Sequence, residues 1–595
     1  MSLNGELSAL FRTMAAILDI KGENRFAAIA FSKVSRILGD MTVDVRDAVG
    51  RGTLKDVEGV GASSRKVIEE YVRTGRSSDY ESLATSVPAG LLPLLDIPGL
   101  GPKTIALLWQ ERGVTSLDEL VKAIDEGRLA GLKGIGEKKI DAIRQGIRIK
   151  SQSAGRVGIA EALPMATSML ERLRRVKKVK QAEIAGSLRR RRETVGDVDV
   201  VCALTDGDEA AGAAVTAAFV TFPEVTTVLG QGPTKASVMV AGGLQVDLRV
   251  VPVECYGAAL LYFTGSKDHN VKLRGRALDM GMTLNEWGLY DLARHERAEK
   301  KVGEPPRLAA LACRSEADVY RKLGLAYVEP ELREDRGEVE AAAAADGRLP
   351  APLITVADIR GDLHTHTTAS DGTATIEQMA EAAVARGYKF LAITDHSKSQ
   401  VIANGLTADR LAKHAAEIRR ANDRVKGIRL LAGCEVDILA DGRLDFDDAV
   451  LKELDVVVAS PHVSLKQDPD KATDRIRRAI DARYVNVIGH PTGRLIGGRE
   501  GLPVDFGKLF PLAAASGTAL EINSGYPRLD LNEVNARAAV EAGCMLSINT
   551  DAHSPDSFDE IVYGVGVARR AWVTPRHVIN CMAEDDLLAF IARKR

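Results

Sequence analysis

Seven short apolar runs in the C-terminal half constrain this chain more than any other feature. They are IRGDLHTH, FLAITDH, IRLLAGCEVDI, VVVASPH, VNVIGH, TALEINSG and CMLSINTDAH. They alternate with helical stretches at a spacing that specifies a parallel α/β sheet or barrel. Nearly every run ends in His, Asp, Glu or Asn, and in barrels of this type chemistry sits at the C-terminal strand ends. Of the ten histidines in the chain, six close these runs: His364, His366, His396, His462, His490 and His553. Asp371, Glu435 and Asp551 arrive with them. A lone buried histidine is usually structural, but six at strand ends with three acids form a ligand set. H-x-H on one strand puts both imidazoles on one face, where they can share a metal. Nine such residues exceed what one ion needs and suit two or three. The imidazole and carboxylate mixture fits Zn2+, Mn2+ or iron.

At 595 residues the chain is too long for one core and is expected to form about three to five domains. A net charge of −2 gives no overall basic bias, so any nucleic-acid surface must be local. Six cysteines without a C-x-x-C pair fit a reducing cytosol and argue against a disulfide framework or a cysteine-based zinc finger. The start MSLNGELSALFRTM lacks the pattern of a signal peptide, and no apolar run is long enough to span a membrane, so a cytoplasmic protein is expected.

Residues 1–150 read as helices and tight turns. One glycine pattern recurs three times, as VEGVG (57–61), IPGLG (97–101) and LKGIG (132–136), each before a helical stretch with Lys or Arg. Such a turn can aim backbone N–H groups and a helix N-terminus at a phosphate. That contact ignores base sequence, as general DNA binding requires. A plain turn glycine explains one copy better than three. The repeats resemble helix-hairpin-helix DNA-binding motifs, which would use Gly59, Gly61, Gly99, Gly101, Gly134 and Gly136.

From Gly158 the texture becomes α+β. In GSLRRRRETVGDVDVV (186–201), Asp197 and Asp199 lie two apart on a strand and face one side. Two like charges there need a cation or a proton. Asp247, in QVDLRV, could add a third carboxylate, and three carboxylates suit Mg2+. Two such ions can stabilise both the attacking and the leaving oxygen of phosphoryl transfer. Gly186-Ser187 ends the preceding strand, where backbone and hydroxyl donors could hold a triphosphate. Ten Lys or Arg lie between Arg172 and Arg192 with one acid, Glu183; a solvated helix face competes with phosphate binding as their explanation.

GS-x-R-R before D-x-D is a nucleotidyltransferase pattern. With YFTGSKDHN (262–270), Arg274 and TLNEWGL (283–289), residues 1 to about 330 closely resemble the family X DNA polymerases, small gap-filling repair enzymes. The resemblance implies two catalytic Mg2+ ions on Asp197, Asp199 and Asp247. It implies triphosphate contacts from Gly186, Ser187, Arg190 and Gly196. Tyr262, Phe263 and Gly265 would line the sugar pocket and discriminate against ribose; a buried aromatic pair is the plainer reading of the first two. Asn270 and Arg274 would test the nascent base pair. One departure concerns the lyase lysine of some relatives: Val67 stands at that position and Lys66 beside it points elsewhere. That activity is therefore not expected, although Lys21 could still bind a 5′-phosphate.

D-L-H-T-H, I-T-D-H, G-C-E-V-D, P-H, G-H-P and N-T-D-A-H together resemble the polymerase and histidinol phosphatase (PHP) domain over 353–595. That family has a distorted (β/α)7 barrel. The resemblance implies up to three Mn2+ or Zn2+ ions. One would be held by His364, His366, Glu435 and Asp551, another by Glu435, His462 and His490, the third by Asp371, His396 and His553.

The expected fold is therefore multidomain. An all-α helix-hairpin-helix region comprises an N-terminal domain (1–87) and fingers (88–151). An α+β nucleotidyltransferase palm (152–253) and a nucleotide-selecting thumb (254–329) follow. EDRGEVEAAAAADGRLPAP lies in an expected linker (330–352), and a PHP barrel (353–595) ends the chain. The expected function is a DNA polymerase filling short gaps in DNA repair, using deoxynucleoside triphosphates on gapped or primer–template DNA. A metal-dependent 3′-5′ exonuclease or phosphoesterase accompanies it, in a monomer. The alternative is an RNA nucleotidyltransferase with a small-molecule PHP phosphatase.

Overall fold

The structure is a computed structural model. It describes residues 3–40, 45–50, 53–56, 59–97, 100–129, 131–132, 134–137, 139–141, 143–144, 147, 155–205, 209–298, 306, 308–344 and 349–594. The chain divides into two compact units, Met1–Ala154 and Gly155–Arg595. Among the described residues no helix is long and apolar enough to cross a membrane.

The first unit is helical. Helices Leu3–Lys21, Arg25–Asp40 and Ala62–Thr74 turn their apolar sides inward around Phe11, Met14, Val34 and Ile68. Its glycine turns show why the motif repeats. Gly59 and Gly134 adopt φ +94° and +85°, the left-handed region that glycine enters without strain. The apolar residue that follows, Val60 or Ile135, is buried and pins the turn to the core. Gly61 and Gly136 then open the next helix. The Gly61 carbonyl accepts from Arg65 N at 3.0 Å, and that of Gly136 from Ile140 N at 3.1 Å. Gly101 caps Pro102–Arg112 in the same manner, behind buried Leu100. Gly99 lies outside the described residues, as do Val57, Glu58, Pro98 and Lys133. Val67 is a core residue, 1% exposed, while Lys66 faces solvent.

The second unit begins with a five-stranded sheet: β1 (Val179–Ile184), β2 (Asp197–Leu204), β3 (Val225–Gln231), β4 (Lys235–Val240) and β5 (Gln245–Pro252). The spatial order is β1-β2-β5-β4-β3; β2 and β5 are parallel and the other pairs antiparallel. Asp197 and Asp199 occupy the open start of β2, and every residue after Asp199 in that strand is buried. Helices Tyr256–Thr264 and Lys267–Asp279 and a short hairpin, Met282–Asn285 with Gly288–Asp291, form the next layer.

The described residues of 330–352 are not a free linker. Pro330–Leu332 and Glu338–Ala343 are helical turns, and Leu332, Val339 and Ala342 join a core with Leu273, Val319 and Tyr320. Three of the charges that make the segment look solvated, Glu331, Arg333 and Glu338, point inward. Arg333, 0% exposed, donates to Glu316 at 2.6 Å and to the Val328 carbonyl at 3.0 and 2.9 Å. Glu338 lies 2.6 Å from His269 Nδ1, and His269 Nε2 lies 2.9 Å from the Tyr320 hydroxyl. Composition cannot reveal such pairing, because Glu316 lies 17 residues from Arg333 and His269 69 residues from Glu338.

Seven parallel strands follow in sequential order: β6 (Gly361–Asp362), β7 (Phe390–Ile393), β8 (Arg429–Asp437), β9 (Val456–Ser460), β10 (Val487–Ile488), β11 (Ala519–Asn523) and β12 (Leu546–Asn549). All seven are buried apart from Arg429, as parallel strands covered on both faces must be. A parallel bridge between Thr365 and Ala552, with His366 N donating to the Ala552 carbonyl at 2.8 Å, nearly closes the barrel.

The five-stranded sheet and the barrel share one hydrophobic core, which runs from Ile159, Met169 and Val198 to Met379, Ile522 and Val565. Ion pairs rim the joint. Arg570 Nη1 donates to Glu334 at 2.9 Å and to the Arg190 carbonyl at 2.8 Å, and its Nη2 reaches Glu533 at 3.0 Å. Arg494 pairs with Glu193 at 3.2 Å and Arg569 with Glu331 at 2.7 Å. At Gly158 a Cβ would lie 2.1 Å from the Tyr526 hydroxyl, so only glycine permits that approach.

Candidate active sites

The register of β2 against β5 sets Asp199 directly beside Asp247, with Asp197 two residues earlier on the same face. Burial, then the charges of Asp197 and Asp247, push the Asp199 carboxyl up to about 7. Asp247 accepts from Gln245 Nε2 at 3.0 Å and lies 3.7 Å from Lys235 Nζ. Crowded carboxylates with so little compensation fit a divalent cation, which removes the repulsion while keeping all three ionised. Gly186 (φ +62°) closes the wall: a Cβ there would lie 2.5 Å from Asp199 Oδ2. Ser187 follows in the single turn Gly186–Arg189, and Gly196 is exposed next to Asp197.

The arginine run is largely engaged. Arg189 forms a two-pronged pair with Glu316, both bonds 2.8 Å, and Arg190 donates to Glu334 at 3.0 Å and to the Thr264 carbonyl. Arg192 lies 3.8 Å from Glu533. A Cβ at Gly265 would sit 3.2 Å from Arg190 Nη1, so the triphosphate and sugar candidates adjoin. Tyr262 and Phe263 meet edge to face, centroids 5.2 Å apart. Arg249, two residues beyond Asp247, lies over the Phe263 ring at 5.2 Å. Asn270 Nδ2 donates to the Tyr262 carbonyl at 2.7 Å, and Tyr262, Asn270 and Arg274 line one small cavity with Leu284 and Asn285.

In the barrel all nine expected ligands converge around Glu435. Its carboxylate lies 3.2 Å from His364 Nε2, 2.7 Å from His396 Nδ1, 3.3 Å from His462 Nε2 and 2.9 Å from His490 Nε2. Asp551 lies 3.0 Å from His366 Nε2, and Asp371 lies 3.4 Å from His553 Nε2. The sets whose donor atoms lie within 4.8 Å of one another cut the nine differently from the family grouping. They are His366 with Asp371, His396 and His553; His364 with His490 and Asp551; His364 with His366 and Glu435; and His396 with Glu435 and His462. His366 shifts because its ring stacks between those of His396 and His553, at 4.4 and 4.2 Å. His490 and Asp551 hold left-handed backbone, φ +24° and +56°, a strain typical of functional positions.

A metal fits this cluster on its donor atoms. His364 Nε2, both ring nitrogens of His366, His396 Nδ1, Glu435 Oε2, His462 Nε2, His490 Nδ1 and Asp551 Oδ1 are buried without a hydrogen bond. Crowding so many buried polar atoms together without hydrogen bonds is costly unless they bind a cation. The electrostatics agree. Burial opposes ionising Glu435 and Asp551, yet the surrounding imidazoles, His462 and His364 foremost for Glu435 and His364 for Asp551, hold both well below the usual carboxylate range. Burial also opposes charging His462 and His553, yet Glu435 and Asp437 raise the first to about 9, and Asp371 and Asp551 raise the second to about 9. Burial, then His553 and His396, push His366 down to about 4.

Behind the ligands stands a layer to which the sequence reading gave no role, although Asp395 and Asp437 lie within I-T-D-H and G-C-E-V-D. Glu521 lies 2.9 Å from His364 Nδ1 and accepts from His490 N at 2.6 Å. Asp437 lies 2.5 Å from His462 Nδ1. Asp395 accepts from Thr367 N at 2.9 Å, from Ser370 N at 3.1 Å and pairs with His414 at 2.8 Å, fixing the segment that carries Asp371. Asn523 Nδ2 donates to Asp551 at 3.1 Å and Arg528 Nε lies 3.7 Å from it. Carboxylates on the outer nitrogens leave the inner ones aimed at the metal. Asp437, two residues after Glu435, and Glu521, two before Asn523, carry a period-2 signal within their runs.

Family models match in four places. A helix-hairpin-helix domain covers 2–77, a SAM-like helix-hairpin-helix tandem 91–148, a DNA polymerase beta thumb 259–334 and a PHP domain 362–499. DNA polymerase/3′-5′ exonuclease PolX of Bacillus subtilis (strain 168) is 38% identical over 590 residues, 99% of each chain. A probable phosphatase of Thermoanaerobacter sp. (strain X514) is 29% identical over 230 residues, 37% of this chain and 89% of its own. Leishmania infantum polymerase beta, solved as a ternary gap complex, is 26% identical; the match covers 43% of this chain and 95% of that one, with a TM-score of 0.28.

Proposed function

The chain belongs to the family of PolX-type DNA polymerase/3′-5′ exonucleases, and from that premise we propose that it fills short gaps in DNA and trims 3′ ends, in base excision repair or end processing. It would act in the cytoplasm as a monomer on gapped or primer–template DNA, with deoxynucleoside triphosphates. The observation that carries this reading is the pair of separate ligand sets in one folded unit. Three carboxylates crowd one face of the five-stranded sheet on its parallel strands β2 and β5, and nine imidazole and carboxylate groups meet at the barrel mouth.

Asp197, Asp199 and Asp247 would hold two Mg2+ ions, and the nine barrel residues up to three Mn2+ or Zn2+ ions. Bound divalent ions neutralise charge on the reacting phosphoryl oxygens and, in the barrel, make hydroxide available at neutral pH. The chain's own residues do the rest. Gly186 lets the backbone approach Asp199, and Ser187, Gly196 and Arg190 take the triphosphate, with Glu334 holding Arg190 in place. Tyr262, Phe263 and Gly265 crowd the position of a 2′-hydroxyl, which selects deoxyribose. Asn270 and Arg274 reach the base-pair edge from one cavity. In the first unit the exposed helix starts at Gly61, Gly101 and Gly136 offer N–H groups to phosphates. Gly59 and Gly134 shape two of those turns, Gly99 would serve the same DNA-binding motif, and Lys21, now 2.9 Å from Glu23, would bind a 5′-phosphate. In the barrel Glu521 and Asp437 orient His364 and His462.

The test is separability. Asp197→Ala with Asp199→Ala abolishes primer extension and leaves exonuclease activity; His364→Ala with His366→Ala does the reverse. Loss of both activities from either folded double variant overturns the two-site reading. Ribonucleotide preference in the extension assay, or turnover of histidinol phosphate without DNA cleavage, overturns the substrate assignment.

A further inference from the structure

Beyond β7 the chain passes His396 and forms a small loop whose tip is apolar. Val401 is 81% exposed and Ile402 96%, more than any other large apolar side chain described in the second unit. The loop is built to hold them out. Gln400 N donates to the Ser397 carbonyl at 3.1 Å, Asn404 N to that of Val401 at 3.2 Å and Gly405 N to that of Gln400 at 2.9 Å. A Cβ at Gly405 would lie 2.0 Å from the Ser397 carbonyl oxygen, so this closure requires glycine.

Both stems are fastened to the walls of the metal centre. On one side Ser399 Oγ and Gln400 Nε2 donate to Asp437, the carboxylate that holds His462. On the other, Asn404 Nδ2 and Arg410 Nη2 donate to the Ala369 carbonyl at 3.3 and 2.8 Å, in the segment that leads to Asp371. The tip therefore stands at the barrel mouth, between the His462 and Asp371 flanks. Two exposed cations accompany it. Lys398 lies over the Phe446 ring at 5.3 Å and Arg410 donates to the carbonyls of Asn404 and Gly405, and neither has an ion-paired carboxylate among the described residues.

Adjacent β-branched side chains kept in water at the mouth of a phosphoester centre, flanked by the exposed cations Lys398 and Arg410, have the chemistry of a base-step wedge. The cations suit phosphates on either side, and the apolar tips suit the stack between bases. We propose that Val401 and Ile402 unstack the 3′-terminal base pair of duplex DNA and so present its last nucleotide to the barrel centre. This deepens the exonuclease reading and rests on it.

The test compares the full-length protein with Val401→Ser/Ile402→Ser, exposed changes that leave the core untouched. The ratio of cleavage at a paired 3′ end to cleavage at a single-stranded 3′ end falls about tenfold or more in the variant, because unstacking is no longer assisted. Independently, 2-aminopurine at the 3′ terminus of a duplex with a non-hydrolysable last linkage brightens on binding the wild type, and not on binding the variant. An unchanged ratio with equal brightening overturns the wedge. Equal loss on both substrates overturns it too, since the loop would then bind strands without unstacking them. Should the wild type cleave neither DNA, the exonuclease reading fails, and the fluorescence alone still decides the wedge.

Discussion

Glu521 shows how single residues set the barrel chemistry from one step away. Its carboxylate occupies His364 Nδ1, the His490 backbone N–H and Asn549 Nδ2, at 2.9, 2.6 and 2.8 Å. It thereby aims His364 Nε2 inward and fixes the backbone at His490. Glu521→Gln keeps the shape and removes the charge that orients both. Metal affinity, read by competition with a chelator, is expected to fall about 10–100-fold, with primer extension intact; unchanged affinity would deny Glu521 that role. Eight of the nine ligands were legible in sequence because they lie at or near the ends of apolar runs, where the barrel rule directs attention, and Asp371 because it follows His366 by five residues. Glu521 was not, because it lies inside its run among apolar neighbours, and Asp437 was not, because Glu435 two residues earlier already supplies that run's acid. Asp395 was hidden beside His396, and its partner His414 sits on a helix whose sequence gives no hint of the barrel wall.

At the scale of elements, hydrophobic periodicity located the seven barrel strands and the carboxylate-bearing strands β2 and β5. Charge composition failed where ions pair over distance. The segment from Pro330 to Ala343 and the run Arg189–Arg192 both look solvated, and both are drawn inward by acids far off in sequence: Arg333 and Arg189 by Glu316, Arg190 by Glu334. Glu316 is the node. Burial would raise its carboxyl, but Arg333 and Arg189 overcome that and hold it at about 2. The folded value lies below the ordinary value of 4.5, so this stabilisation is complete above pH 4.5 and is lost as pH falls from there through about 2. Glu316→Gln strands two buried guanidinium groups and is expected to cost roughly 3–5 kcal/mol near neutral pH. Urea titrations across pH should show the gap between wild type and variant shrinking below pH 4.5. A gap independent of pH would place the destabilisation in packing instead of charge.

For the whole molecule, chemical independence and structural independence part company. Asp197, Asp199 and Asp247 share no ligand with the barrel cluster, so point changes should separate the two activities. The frameworks beneath them are continuous. One hydrophobic core runs through helix Ile159–Arg174, strand β2 and the barrel. Arg570 bridges Glu334 and Glu533 with the Arg190 carbonyl between them. A chain ending at residue 352 would expose that core and leave Glu334 and Arg190 to pair alone. Removing one partner from a buried ionic network costs roughly 3–5 kcal/mol, and the lost apolar burial adds to it, which together approach the whole stability of an ordinary domain. The fragment 1–352 is therefore expected to aggregate or to extend primers poorly, whereas His364→Ala/His366→Ala in the full chain extends normally. Soluble fragment with full extension activity would show that the barrel merely rides on the polymerase. The expected result makes the barrel part of the polymerase's foundation, whatever it cleaves.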